Sequence, residues 1–149
     1  MTGSSGPSRK TASCYLDGEE ATVAFGRELA QELPADALVF LHGHLGAGKT
    51  TLVRGILRGL GYAGPVKSPT YTLLEPYELP SRQVYHFDFY RIVDSQELEF
   101  IGIDELMSSH ALKLVEWPEQ GGDRLPEADV EIYLHQEGEG RRLEVVNNR

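Results

Sequence analysis

The stretch "GHLGAGKTT", residues 43–51, decides how this chain reads. Gly43 to Thr50 meet the pattern G-x-x-x-x-G-K-[ST] at every fixed position. The spacing has a chemical reason. Gly43, Gly46 and Gly48 let the backbone turn tightly and aim N–H groups at phosphate oxygens. A following helix N-terminus adds partial positive charge. Lys49 is placed to reach the β- and γ-phosphates, and the Thr50 hydroxyl to ligate Mg²⁺. With His44, Leu45 and Ala47 between the fixed positions and Thr51 after them, the segment is the expected cradle for ATP or ADP.

The flanks supply the context that such a loop needs. Leu38–Leu41 is apolar without polar alternation, as in a strand covered on both faces. After the loop, Leu52, Val53, Ile56, Leu57 and Leu60 recur at helical spacing. They predict a helix from Lys49 to Leu60, with Gly61 at its C′ position. Upstream, "SCYL" (13–16) reads as a short edge strand. Asp17 and Glu20 form a capping-box pattern for a helix reaching Leu33, with Ala21, Phe25, Leu29 and Ala30 on one face and Pro34 beyond. Downstream, residues 71–77 and 83–88 read as strands joined by "LPSR". Asp94 and Glu97 form a second capping box, ahead of "ELEFI". "ALKLVE" (111–116) is a strand, and "ADVEIYLH" and "RRLEVV" form a closing hairpin around Gly138 and Gly140. There is no internal repeat. The pattern implies a P-loop NTPase-like α/β domain of three layers, α/β/α, with a mixed, partly antiparallel sheet.

The totals agree with one domain. A chain of 149 residues buries roughly 70% of its unfolded surface. Residues 1–11 are expected to be disordered, and 12–149 to form the single P-loop ATPase domain. The longest apolar run, Ala37–Leu41, is far too short to span a membrane. The polar N-terminus has no signal-peptide core, and Cys14 stands alone, so a cytoplasmic location is the default. Net charge is −9 and unevenly placed: residues 1–91 carry nine basic and nine acidic side chains, residues 92–149 five and fourteen. An acidic surface repels phosphodiester backbones, so no strong binding of tRNA alone is expected. The acidic part reads as a solvated face or as a docking surface for a basic partner.

Two acids stand out beyond the loop. Asp88 ends the apolar strand "VYHF", as a Walker B aspartate does, and Glu116 ends "ALKLV". If their strands run parallel to Leu38–Leu41, Gly43, Asp88 and Glu116 share the carboxyl edge of the sheet, where ligands bind. One acid would then help hold the metal and the other orient the attacking water, the division being open on these residues alone. In "KSPTYT" (67–72), Pro69 stiffens the turn and Thr70 is placed as a switch-loop threonine, or as an ordinary loop residue. Trp117, the one tryptophan, reads as an adenine-stacking ring or as core packing. His86 reads as a satisfied polar group facing a neighbouring strand. No His/Cys cluster has metal-ligand spacing, and no Ser-His-Asp set is suggested.

"GHLGAGKTT", "VKSPTYTLLEPY", "YHFDFYR", "ELEFIGI" and "LVEWPEQG" occur in this order. In that combination the chain, over roughly residues 17–146, resembles the bacterial TsaE (YjeE) family. The resemblance implies a small ATPase of tRNA threonylcarbamoyladenosine (t⁶A) synthesis. It implies two partners, TsaB and TsaD, which transfer the threonylcarbamoyl group to adenosine 37 of ANN-decoding tRNAs, while the ATPase supports their turnover. By position it implies phosphate and Mg²⁺ contacts for Lys49 and Thr50, and Glu116 as second Mg²⁺ ligand. It makes Asp88 the Walker B acid and Trp117 the base-side aromatic, and puts Glu19 and Arg141 near the nucleotide. The family's usual Asp is replaced here by His44, which puts any duty of that carboxylate in doubt; alternatively, position 44 only lines the loop rim.

Two other functions fit a P-loop: a small-molecule kinase, and an ATP-binding switch without hydrolysis. A kinase usually carries a lid whose arginines clamp the transferred group, and no Arg-rich segment follows the P-loop helix. No arginine finger is evident near the loop in sequence either. Slow hydrolysis by the chain alone, raised by partners, is therefore expected.

Overall fold

Leu38 and Phe40 point to one side of their strand and Val39 and Leu41 to the other, and apolar groups cover both sides. That strand is the centre of the molecule. The structure, a computed structural model, describes residues 10–80 and 82–149. The strands are β1 (Lys10–Leu16), β2 (Leu38–His42), β3 (Leu74–Leu79), β4 (Arg82–Asp88), β5 (Leu112–Glu116), β6 (Val130–Glu137) and β7 (Gly140–Asn147). They form one sheet of order β1-β7-β6-β2-β5-β4-β3. β6, β2, β5 and β4 run parallel. β1, β7 and β3 pair antiparallel at the two sides, so the sheet is mixed as expected.

Two helices, α1 (Glu19–Ala30) and α2 (Lys49–Gly59), cover one face. Leu52, Val53, Ile56 and Leu57 of α2 are fully buried there with Val39, Leu41, Leu114 and Ile132. The helices touch through glycines. A Cβ on Gly55 would lie 2.4 Å from the Val23 carbonyl oxygen, and one on Gly26 2.8 Å from that of Leu52. The opposite face is covered by short pieces: a 3-10 helix (Ser95–Ile101) and α3 (Ile103–Met107), whose Leu98, Ile103 and Met107 pack on Leu38, Phe87 and Val115. This is the three-layer α/β/α arrangement, with one outer layer thin.

The second capping box is present: Glu97 Oε2 accepts from the Asp94 N–H, and Asp94 Oδ1 from the Gln96 N–H. The first is absent. α1 begins after Gly18, whose φ of 145° suits only glycine, and no side chain caps it. Starting at Glu19 puts Glu20 at the second helical position, one short of where a capping-box acid must stand. α1 ends at Ala30, and the next residues continue only as turns, with Leu33 N–H donating to the Leu29 carbonyl. Its buried face includes Thr22 and Gly26 with Leu29 and Ala30, while Ala21 and Phe25 are partly covered. β3 begins at Leu74, three residues later than read, because residues 71–73 turn, with Leu73 at φ 69°. β1 takes in Lys10 and Thr11, which the sequence left with the polar N-terminal segment. The rest of that segment, and Ser81 of the "LPSR" turn, lie outside the described residues.

Candidate functional site

β2 is where the chain changes direction across the sheet: β5 lies on one side of it and β6 on the other. Such a switch point opens a crevice at the carboxyl ends of the strands. The loop leaving β2 fills it. Gly43, Gly46 and Gly48 all have positive φ, and Gly48 caps α2 with no side chain, leaving its first N–H groups open to an anion. Glycine is required twice over. A Cβ on Gly43 would lie 2.6 Å from the Leu134 carbonyl oxygen, and one on Gly48 would strike the Arg141 guanidinium.

A cleft of about 370 Å³ lies over this loop. Its walls hold Leu45, Gly46, Gly48, Lys49, Thr50 and Thr51 from the loop and α2. Thr70, Asp88, Glu116, Trp117, Glu19 and Arg141 come from elsewhere. Of the predicted site residues, Gly43, His44 and Ala47 stand apart. Ala47 is buried in the core. Gly43 and His44 border a second groove with His42, Tyr133 and His135, which Trp117 shares. Ser68, which its place before Pro69 marks only as extended backbone, also lines the main cleft.

Asp88 and Glu116 are register partners on the parallel strands β4 and β5, and Glu116 is also level with Leu41 of β2. Both acids are buried, 5% and 3% exposed. Glu116 Oε2 accepts from the Thr50 hydroxyl at 3.1 Å. It also accepts from His86 Nε2 at 2.6 Å. His86 faces the neighbouring strand as expected but is only half satisfied: Nε2 is paired with Glu116, a residue lining the cleft, while Nδ1 has no partner among the described residues. The available signal was alternation: His86 and Asp88 share one face of β4. Asp88 Oδ1 accepts from the Tyr90 N–H at 3.0 Å, and Oδ2 from the Thr70 hydroxyl at 3.3 Å. The "SPTY" turn is thereby tied to Asp88.

Lys49 Nζ donates to the Gly43 carbonyl at 2.5 Å and lies 3.8 Å from the centre of the Trp117 ring. Burial pushes the Lys49 ammonium below its ordinary range, while the negative charges of Glu116, Asp88 and Glu119 act the other way. The sequence leaves Trp117 as an adenine-stacking ring or as core packing; in the structure one of its neighbours is the Lys49 ammonium. Its backbone is left-handed, φ 55° and ψ 51°, unusual for a bulky residue and more so before Pro118. The Tyr90 ring also packs against it, tilted by 50° with centroids 4.9 Å apart. An arginine does reach the loop. Arg141, far along the chain on β7, lays its guanidinium across Gly48, and its buried Nε has no acceptor among the described residues.

Burial raises the Asp88 carboxyl above its usual range, Glu116 adds to this, and the Tyr90 N–H, His86 and Thr70 oppose it. The folded chain thus binds this proton more tightly than the unfolded one, so stability falls as pH rises from the ordinary carboxylate range through the raised value. Asp88→Asn is expected to raise the melting temperature of the nucleotide-free protein at neutral pH by about 2–4 °C, the shift made by ~1 kcal/mol in a domain of this size. The gain should shrink as pH falls towards the ordinary carboxylate range. Melting curves of both proteins across pH check it; equal curves at neutral pH would contradict it.

Among the described residues no group of three or more His, Cys, Asp or Glu is arranged to hold a metal ion, and no helix is long and apolar enough to cross a membrane. A loop with open helix N–H groups, a buried lysine and two strand-end acids, at the switch point of a mixed sheet, defines a protein of the P-loop nucleotide-binding class. The chain belongs to the TsaE family, whose sequence model, described as threonylcarbamoyl adenosine biosynthesis protein TsaE, matches residues 16–143. A Haemophilus influenzae relative named tRNA threonylcarbamoyladenosine biosynthesis protein TsaE is 42% identical over 137 residues, covering 89% of this chain and 87% of that protein. A Synechocystis protein of the same name is 39% identical over 117 residues, covering 76% and 71%. The crystal structure of Bacillus subtilis YdiB superposes with a TM-score of 0.81 at 26% identity, covering 97% of this chain and 90% of that one.

Proposed function

We propose that this chain is a Mg²⁺-dependent ATPase of t⁶A synthesis that works with TsaB and TsaD in the cytoplasm and supports their turnover. The observation that carries the reading is the convergence of Lys49, the Thr50–Glu116 pair and Asp88 at one edge of the sheet. The names of the relatives supply the pathway.

The donor set fits Mg²⁺. The Thr50 hydroxyl and the Glu116 carboxylate are hard oxygens 3.1 Å apart. Mg²⁺ usually takes only one or two carboxylates, with phosphates and waters completing its shell. When bound, it supplies charge that neutralises the β- and γ-phosphate oxygens. The protein's own groups do the rest. The α2 N–H groups hold phosphate oxygens. Lys49 leaves the Gly43 carbonyl for the terminal phosphates. Asp88, made more basic by burial, accepts a hydrogen bond from the attacking water, and Thr70 fixes its other oxygen. Arg141 adds positive charge at Gly48, and Glu19 and Thr51 border the cleft towards the nucleoside.

Exposed Tyr71 (80%), Val93 (95%) and Phe100 (90%), with the acidic C-terminal part, offer contact surface for partners. A partner seated over the cleft would exclude water from the phosphates. The test is phosphate release from ATP with Mg²⁺ or with EDTA, alone and with TsaB–TsaD. Slow Mg²⁺-dependent release, raised by the pair, is expected. No release under any of these conditions would leave an ATP-binding switch.

A further inference from the structure

We infer that His86 is a positioning residue for metal binding: from β4 it holds the Glu116 carboxylate in the orientation that the cation needs. This rests on the metal site proposed above. Asp88 is level with Glu116, whereas His86 is level with Leu114, so the imidazole reaches diagonally across to the acid. The contact is 2.6 Å and fully buried on the histidine side. A carboxylate oxygen only accepts, so Nε2 carries the proton. Nδ1 is buried with no partner among the described residues. A ring that only filled space here would carry that unpaired nitrogen for no return, and leucine would do better. The return is at Nε2.

The Thr50 hydroxyl is the other donor to Glu116 Oε2. It is also the group that the metal takes. The Thr50 oxygen can give the cation a lone pair and keep its O–H on the acid, but that contact is the longer of the two, and His86 is the closer, fully buried donor. Loss of His86 leaves Thr50 as the one donor to Oε2 among the described residues and frees the Glu116 side chain to change rotamer. Outer partners of this kind change metal affinity about 10- to 100-fold.

His86→Leu removes the donor. His86→Gln keeps an amide N–H at the reach of Nε2. ADP affinity, measured by equilibrium dialysis in EDTA and at rising Mg²⁺, separates metal binding from nucleotide binding. For His86→Leu the Mg²⁺ concentration that half-restores tight ADP binding should rise about tenfold or more. Affinity in EDTA should match wild type, and His86→Gln should recover most of the loss. Should His86→Leu not fold, His86→Asn, whose shorter amide falls short of Oε2, replaces it. The inference is overturned if the donor-free variant titrates like wild type, if it loses ADP in EDTA to the same degree, or if glutamine rescues nothing. A wild-type protein whose ADP affinity ignores Mg²⁺ would overturn the metal site itself, and this inference with it.

Discussion

Lys49→Ala is expected to abolish ATP hydrolysis and leave the fold intact. The ammonium of this cleft-lining residue sits on the Gly43 carbonyl and against the Trp117 ring. Only 5% of the residue is exposed, so little water screens its charge. Burial already works against that charge, and the nearby acids keep it in place. Phosphates arriving on the loop replace a carbonyl partner with a far stronger one. Removing one preorganised charge of this sort raises a transition state by about 3–4 kcal/mol, or 10²–10³-fold in rate. Alanine leaves the apolar side of α2, Leu52 to Leu57, untouched, so the melting curve should stay cooperative. Phosphate release within tenfold of wild type would contradict the P-loop assignment.

Glu116→Gln should cut Mg²⁺-dependent nucleotide binding and hydrolysis by about tenfold to a hundredfold, with no loss of folding. The amide oxygen can still accept from His86 and Thr50, which preserves the local geometry. What disappears is the negative charge. It also disappears from beside Asp88, whose raised carboxyl owes part of its shift to Glu116. Calorimetric titration of Mg²⁺ into the ADP complex reads the change. Coincident titrations of variant and wild type would make Glu116 a buried strand-end acid and nothing more.

Much of this was legible in the sequence because it is local. The β2–loop–α2 unit is contiguous, and its glycine, lysine and threonine positions are fixed by what a phosphate needs. The edge shared by Asp88 and Glu116 followed from two apolar runs each ending in an acid, together with the habit of ligands to sit at carboxyl ends. Other features depend on contacts that spacing does not encode. Arg141 reaches Gly48 only because β7 pairs with β6, which flanks β2. His86 meets Glu116 through the register of β4 on β5. The Trp117 ring turns onto Lys49 by way of a left-handed backbone that its sequence, ahead of a proline, argues against. The Asp17–Glu20 pattern failed because Gly18 took the cap.

Hydrolysis in this cleft is proposed to support repeated rounds of t⁶A formation. If partners favour the ATP state, ATP must strengthen partner binding by the same factor. The direct measurement is t⁶A formed per TsaB–TsaD complex over many cycles, with wild-type chain, with Lys49→Ala, and with none added. Sustained turnover is expected with wild type, and arrest after about one round in the other two cases. Sustained turnover at the full rate with Lys49→Ala, or without the chain, would contradict it.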